Sequence, residues 1–321
     1  MIRFRLLQTP YAGDMMRHPL FRLDARQVRW LRSPERFRGQ TWRVIAGMHL
    51  LLLTVWLAIL AVHSANKSGY SSSQMAYVDG PTVISFLATA IIPLSAVLDF
   101  ICLQASLKTI SGEVIAGRWD LLRLTALSEG GIVRAKHAGV RLRVWRSTMM
   151  IVGLRTAAVT ISLFALLIWP YVVTGENVNI GQLAEAFMEA PLSSIALVIT
   201  AAVTVLVYIV EPVWRVQAFS ALGMTLSAYI GTIPLAMLAS VGAIFALWLV
   251  QIIVAAVLFF SLGFGLGALL APLIFYESSP FPLMLYILLS CIITAVTIWG
   301  FYALLQAWGL RRVLYRINKV N

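Results

Sequence analysis

Val216–Tyr276 reads VQAFSALGMTLSAYIGTIPLAMLASVGAIFALWLVQIIVAAVLFFSLGFGLGALLAPLIFY, 61 residues without one charged side chain. As helix it would reach roughly 90 Å, about three bilayer cores. No soluble domain has water-facing surface to match such a run. The rest of the chain agrees. Of 321 residues, 60% are hydrophobic and 12% charged, about half the charged share of a soluble domain. A soluble enzyme, a disordered chain and a disulfide scaffold are excluded. The class is an all-α polytopic membrane protein.

Charge position sets the orientation. The net charge is +12, but it is blocked. Residues 1–43 carry 10 Arg against 3 acids, and 104–147 carry 8 Arg/Lys against 3 acids. The tail adds Arg311, Arg312, Arg316 and Lys319, whereas 174–191 holds Glu176, Glu185 and Glu189 with no base. The basic blocks flank apolar spans, so the positive-inside rule explains them and places both termini in the cytoplasm. Nucleic-acid binding is not needed to account for them.

Outward from the uncharged run, the expected spans are about 44–63, 82–103, 148–173, 192–210, 235–262 and 281–308. Residues 1–43 form a basic cytoplasmic arm, 104–147 a cytoplasmic segment and 309–321 a basic tail. In the arm, Leu20, Leu23, Val28 and Leu31 form a helical stripe suited to lie on an anionic leaflet, with Trp30 and Phe37 as interfacial anchors. Parity requires an even number of crossings between Arg215 and the tail. Val216–Ile233 is therefore expected as an interfacial or bundle-packed helix broken by Pro234, and Gly263–Phe275 as a re-entrant hairpin buried in protein. An eight-span reading, with both stretches crossing, keeps parity but needs a 13-residue span.

Catalytic signals are absent from the sequence. There is no GxxxxGK[ST], HExxH or GxSxG, and Cys102 and Cys291 have no metal-like spacing. Gly263-Phe-Gly265-Leu-Gly267 has a nucleotide-loop spacing, but it lies in an apolar run with no strand before it, so it reads as helix packing. No catalytic, cofactor-binding or metal residue is expected. Two charges fall within spans, Asp99 and Arg155, at matching depths on antiparallel neighbours. A structural pair, snorkelling of Arg155 and a relay are all open, the last disfavoured by the single acid.

The densest pattern is cytoplasmic: Glu113…Gly117-Arg118-Trp119-Asp120-Leu121-Leu122-Arg123-Leu124-Thr125-Ala126-Leu127-Ser128…Ile132…Lys136. It is too short and too charged to span, yet apolar enough to dock. It resembles the ABC-2 type permease segment E-x3-G-T-W-[DE]-L-L-x-L-T-P-L-S followed by I-x3-K. Arg118, Ala126 and Ala135 depart from that pattern at positions usually Thr, Pro and Gly. The resemblance implies six spans, a cytoplasmic coupling helix, a re-entrant hairpin before the last span, and a second permease copy or paralogue as dimer partner. It also implies a separate ABC ATPase that binds the ATP, in a bacterial plasma (inner) membrane. The chain would then be the permease subunit of an ABC exporter and not itself an enzyme. Glu113, Gly117, Trp119, Asp120, Leu121, Leu122, Leu124 and Leu127 are the expected coupling residues, with Leu122→Asp expected to abolish ATPase association. A membrane scaffold and a secondary transporter are the alternatives.

Overall fold

The computed structural model describes residues 18–27, 34–65, 80–107, 109–124, 127–167, 191–230, 232–262 and 281–319. Among these residues all regular structure is helical. The helices are α1 (Pro19–Gln27), α2 (Pro34–Ala65), α3 (Gly80–Leu107), α4 (Ser111–Ile115), α5 (Arg118–Arg123), α6 (Glu129–Leu167), α7 (Pro191–Tyr229), α8 (Ile233–Phe260) and α9 (Phe281–Lys319). Six of them, α2, α3, α6, α7, α8 and α9, are long and apolar enough to cross a membrane.

Three of these helices have 39 residues, about 58 Å of helix against a hydrocarbon core of about 30 Å. The excess lies at one end, where α6 begins among Arg and Lys and α9 finishes with Arg311, Arg312, Arg316 and Lys319. This is the basic end. Residues 216–229 are the second half of α7, not a separate helix, because Pro212 does not end it. The next helix, α8, has Pro234 in its first turn. Residues 216–229 thus continue α7 into the bundle. The hairpin expected at 263–275 and the acidic 174–191 stretch, apart from its last residue, lie outside the described residues.

Packing is concentrated at the basic end. The lower half of α7, residues 212–227, is almost wholly buried, whereas Ile195, Leu197, Val198, Ile199 and Leu206 in its upper half are exposed. One apolar cluster joins Leu98, Leu103, Val144, Phe219 and Tyr302 of α3, α6, α7 and α9. Beside it, Phe21, Phe37, Leu142 and Trp145 form another. The anchoring role expected of Phe37 is overturned: it is buried, with its ring 5.2 Å from that of Trp145. Trp145 also donates to Thr41 at 3.0 Å, so Phe37 and Trp145 together seat α2. Helix α1 likewise turns Leu20 and Phe21 onto α6, leaving Leu23 exposed.

Gly153 lets α2 and α6 touch. A Cβ there would lie 2.7 Å from Ile45 O and 2.9 Å from Met48 Cβ. Small residues of this kind set helix separation in lipid, where no hydrophobic force draws helices together. Gly153→Val is expected to force the pair apart and cost about 1–3 kcal/mol. Gly242→Val on α8, where nothing lies within 4 Å, should cost far less. Thermal midpoints of the two variants in one detergent check this.

Candidate functional site: a held docking segment and a buried ionic cluster

Between α3 and α6 the chain makes two short helices. The end of α3 and the start of α4 leave orphan backbone groups, and a single hydroxyl on α7 satisfies three of them. Ser227 Oγ accepts from the amides of Ile110 (3.2 Å) and Ser111 (3.0 Å) and donates to the Leu107 carbonyl. Gly117 then ends the first short helix at φ +63°, a left-handed conformation that other residues adopt at a cost. Glu113 braces the turn from both sides, with Oε1 2.8 Å from Lys136 Nζ and Oε2 3.0 Å from Arg118 Nε. Ser128 opens α6 by accepting the Gly131 amide on its hydroxyl at 3.2 Å, an N-cap.

The expected coupling residues divide by the way they face. Trp119 is buried against Ile110, Ile132, Val133, Met224, Val313 and Ile317, with Leu122 and Leu127 lying on the same cluster. These three, with Glu113, hold the segment. Leu121 and Leu124 are 64% and 84% exposed. Val114 and Ile115, which the sequence reading did not single out, are 51% and 67% exposed. They precede Gly117 as an ordinary Val-Ile pair in a helix, so no local signal marks them. Four exposed apolar side chains, Val114, Ile115, Leu121 and Leu124, thus lie on the two short helices that flank the Gly117 turn. Asp120 lies on α5, but its side chain is outside the described ones. Near this end, burial first and Arg134 second push the His18 imidazole below its ordinary value.

The second feature is ionic. Asp99 and Arg155 do not pair with each other, as one reading of the sequence had them do. Each finds its partner on α7. Arg215 Nη1 lies 2.7 Å from Asp99 Oδ2, and Arg155 Nη2 lies 2.8 Å from Glu211 Oε2. Glu211 and Arg215 are themselves paired one turn apart at 2.7 Å. The reason is the continuity of α7. With the fourth span ended near 210, Glu211 and Arg215 read as boundary charges. With the helix running on, both point into the bundle.

Neutral groups complete the cluster. Trp248 Nε1 of α8 donates to Asp99 Oδ2 at 3.0 Å, and the Tyr302 hydroxyl of α9 donates to Glu211 Oε1. Arg215 also reaches Tyr302 (3.2 Å) and Gln251 (3.4 Å). Two acids and two guanidiniums cancel, which is what a low-dielectric site demands. Five helices meet at this point. A smaller polar contact lies nearer the basic end, where His137 Nε2 sits 2.8 Å from Ser220 Oγ and 3.0 Å from Gln217 O. Among the described residues no group of three His, Cys, Asp or Glu is placed to hold a metal ion. Comparison with protein-family models, with curated proteins and with solved structures finds no match for this chain.

Proposed function

We propose that this chain is the permease subunit of an ATP-binding-cassette exporter, moving its substrate with ATP hydrolysed by a separate subunit. The basic end faces the cytoplasm, both termini lie there, and the protein is a multi-pass component of a bacterial plasma membrane. A second permease, identical or related, completes the pathway. The observation that carries the reading is the Val114–Ile115–Leu121–Leu124 patch. Four apolar side chains exposed on two short helices at the basic end have the form of a protein hot spot. The segment can transmit force because Ser227, Lys136 and Trp119 tie it to α7, α6 and the end of α9.

The geometry changes which substitution tests this. Leu122 packs on the Trp119 cluster, so Leu122→Asp would injure the bundle as well as the dock. Leu121→Asp with Leu124→Asp alters the exposed face alone. The tagged chain, purified in mild detergent from its own cells, is expected to bring down a stoichiometric soluble ATPase. The double variant should lose it, by at least about thirtyfold if each anchor contributes about 1–3 kcal/mol, while eluting at the same size-exclusion position. Recovery of the native chain with no ATPase would remove the exporter reading, and retention of the ATPase by the double variant would remove the patch as its dock.

A further inference from the structure

Pro212 stands in the middle of α7. It has no N–H, so the carbonyl four residues earlier, that of Tyr208, loses its helical donor. Within a membrane a freed carbonyl must find a partner in the protein. Here Arg155 of α6 supplies it, with Nη1 2.6 Å from Tyr208 O. The same guanidinium lies 4.9 Å above the Tyr208 ring. Its Nη2 donates to Ser95 of α3 at 3.2 Å and faces Glu211 Oε2 at 2.8 Å. One side chain therefore fills the gap that the proline makes in α7 and fastens that point to α3.

A second observation falls at the same place. Burial along α7 changes across Pro212. Below it, Val213, Val216, Phe219 and Met224 are enclosed by neighbouring helices. Above it, α7 keeps α9 as a companion, through Cys291 Sγ at 3.2 Å from Thr204 Oγ1, while much of its remaining surface is open. A helix fixed on one side of a missing rung and sparsely held on the other has the makings of a joint. The fixed part is also the part bonded to the docking segment, through Ser227.

We propose that Pro212 is an articulation in α7 and that Arg155 is its latch. With Arg155 on Tyr208, the upper half of α7 is held against α3 and α6. With Arg155 displaced, that half swings about Pro212 together with the upper part of α9, while the basic end keeps its packing. The joint is a property of this chain alone and stands whether or not an ATPase drives it.

The test uses the purified full chain in nanodiscs, in a Cys102→Ala, Cys291→Ser background. Spin labels go on Leu163→Cys of α6 and Ile199→Cys of α7, both exposed sites, and the distance distribution is read by pulsed electron resonance. The native sequence should give one narrow population. Arg155→Lys keeps the charge but has one nitrogen where the guanidinium sets Nη1 on Tyr208 and Nη2 on Ser95 and Glu211, so it should add a second, longer population. Pro212→Ala restores the N–H to Tyr208 and removes the break, so Arg155→Lys with Pro212→Ala should return to one population. A single population in Arg155→Lys would overturn the latch. Persistence of the second population in the combined variant would overturn the joint. If Arg155→Lys cannot be purified folded, Ser95→Ala loosens the same guanidinium, and an unchanged distribution there counts against the latch equally.

Discussion

Arg215→Met is expected to be the most damaging single substitution in the protein. It strands one carboxylate and takes a partner from another. Asp99, with no exposed surface, loses its ion partner, and Glu211 keeps only Arg155 and the Tyr302 hydroxyl. Removing one member of a buried ion pair costs about 3–5 kcal/mol, and a typical domain has only about 5–15 kcal/mol of stability. The chain should therefore lose its monodisperse size-exclusion peak in mild detergent or show a sharply lower thermal midpoint. The sharper comparison is with Asp99→Leu plus Arg215→Met. That combination removes one anion and one cation and leaves the Glu211–Arg155 pair intact. Its remaining cost is chiefly the Trp248 N–H left without an acceptor, about 1–3 kcal/mol. The double variant should be more stable than Arg215→Met alone. If it is equally or more damaged, charge balance is not what holds the five helices together at this point.

Trp119→Ala should produce the second-largest effect, and a local one. The indole fills the space between α5 and the ends of α6, α7 and α9. Emptying such a site costs about 3–5 kcal/mol where the surroundings cannot collapse. The short helices have little else to hold them, since helices of this length have no stability of their own in water. The segment is expected to detach while the spans stay packed. Trypsin, cutting at Arg118 and Arg123, should then nick Trp119→Ala at least tenfold faster than the native chain, with little change in the thermal midpoint of the bundle. Leu124→Asp, at an 84% exposed position, should cut at the native rate. Equal trypsin sensitivity of the two variants would mean that Trp119 does not anchor the segment.

These two expectations mark how far the residues could be read in advance. The six long apolar helices follow from run length, because a bilayer core demands about 20 apolar residues whatever lies beside them. A short helical segment between α3 and α6 follows from an apolar pattern too short and too charged to span, but its division into two helices at Gly117 does not. Which leucine faces out does not follow. Leu121, Leu122 and Leu124 are consecutive enough on a short helix that only the neighbours decide. The contacts of Trp119 with α7 and α9 turn Leu122 inward, and Leu121 and Leu124 are left outside.

The ionic cluster shows the same division more sharply. Asp99 and Arg155 are visible as charges in apolar surroundings, and their need for partners is plain physics. The partners are not visible, because Glu211 and Arg215 sit where an apolar run meets its first charges and resemble a membrane boundary. Composition and the lengths of the apolar runs therefore determined the class of this protein and its six long apolar helices. Those depend on transfer free energies that each segment carries by itself. Tertiary structure alone decided that α7 runs through Pro212, that Arg155 fills the vacancy, and that Asp99 answers to Arg215. Those depend on which helices touch, a property that no single segment contains.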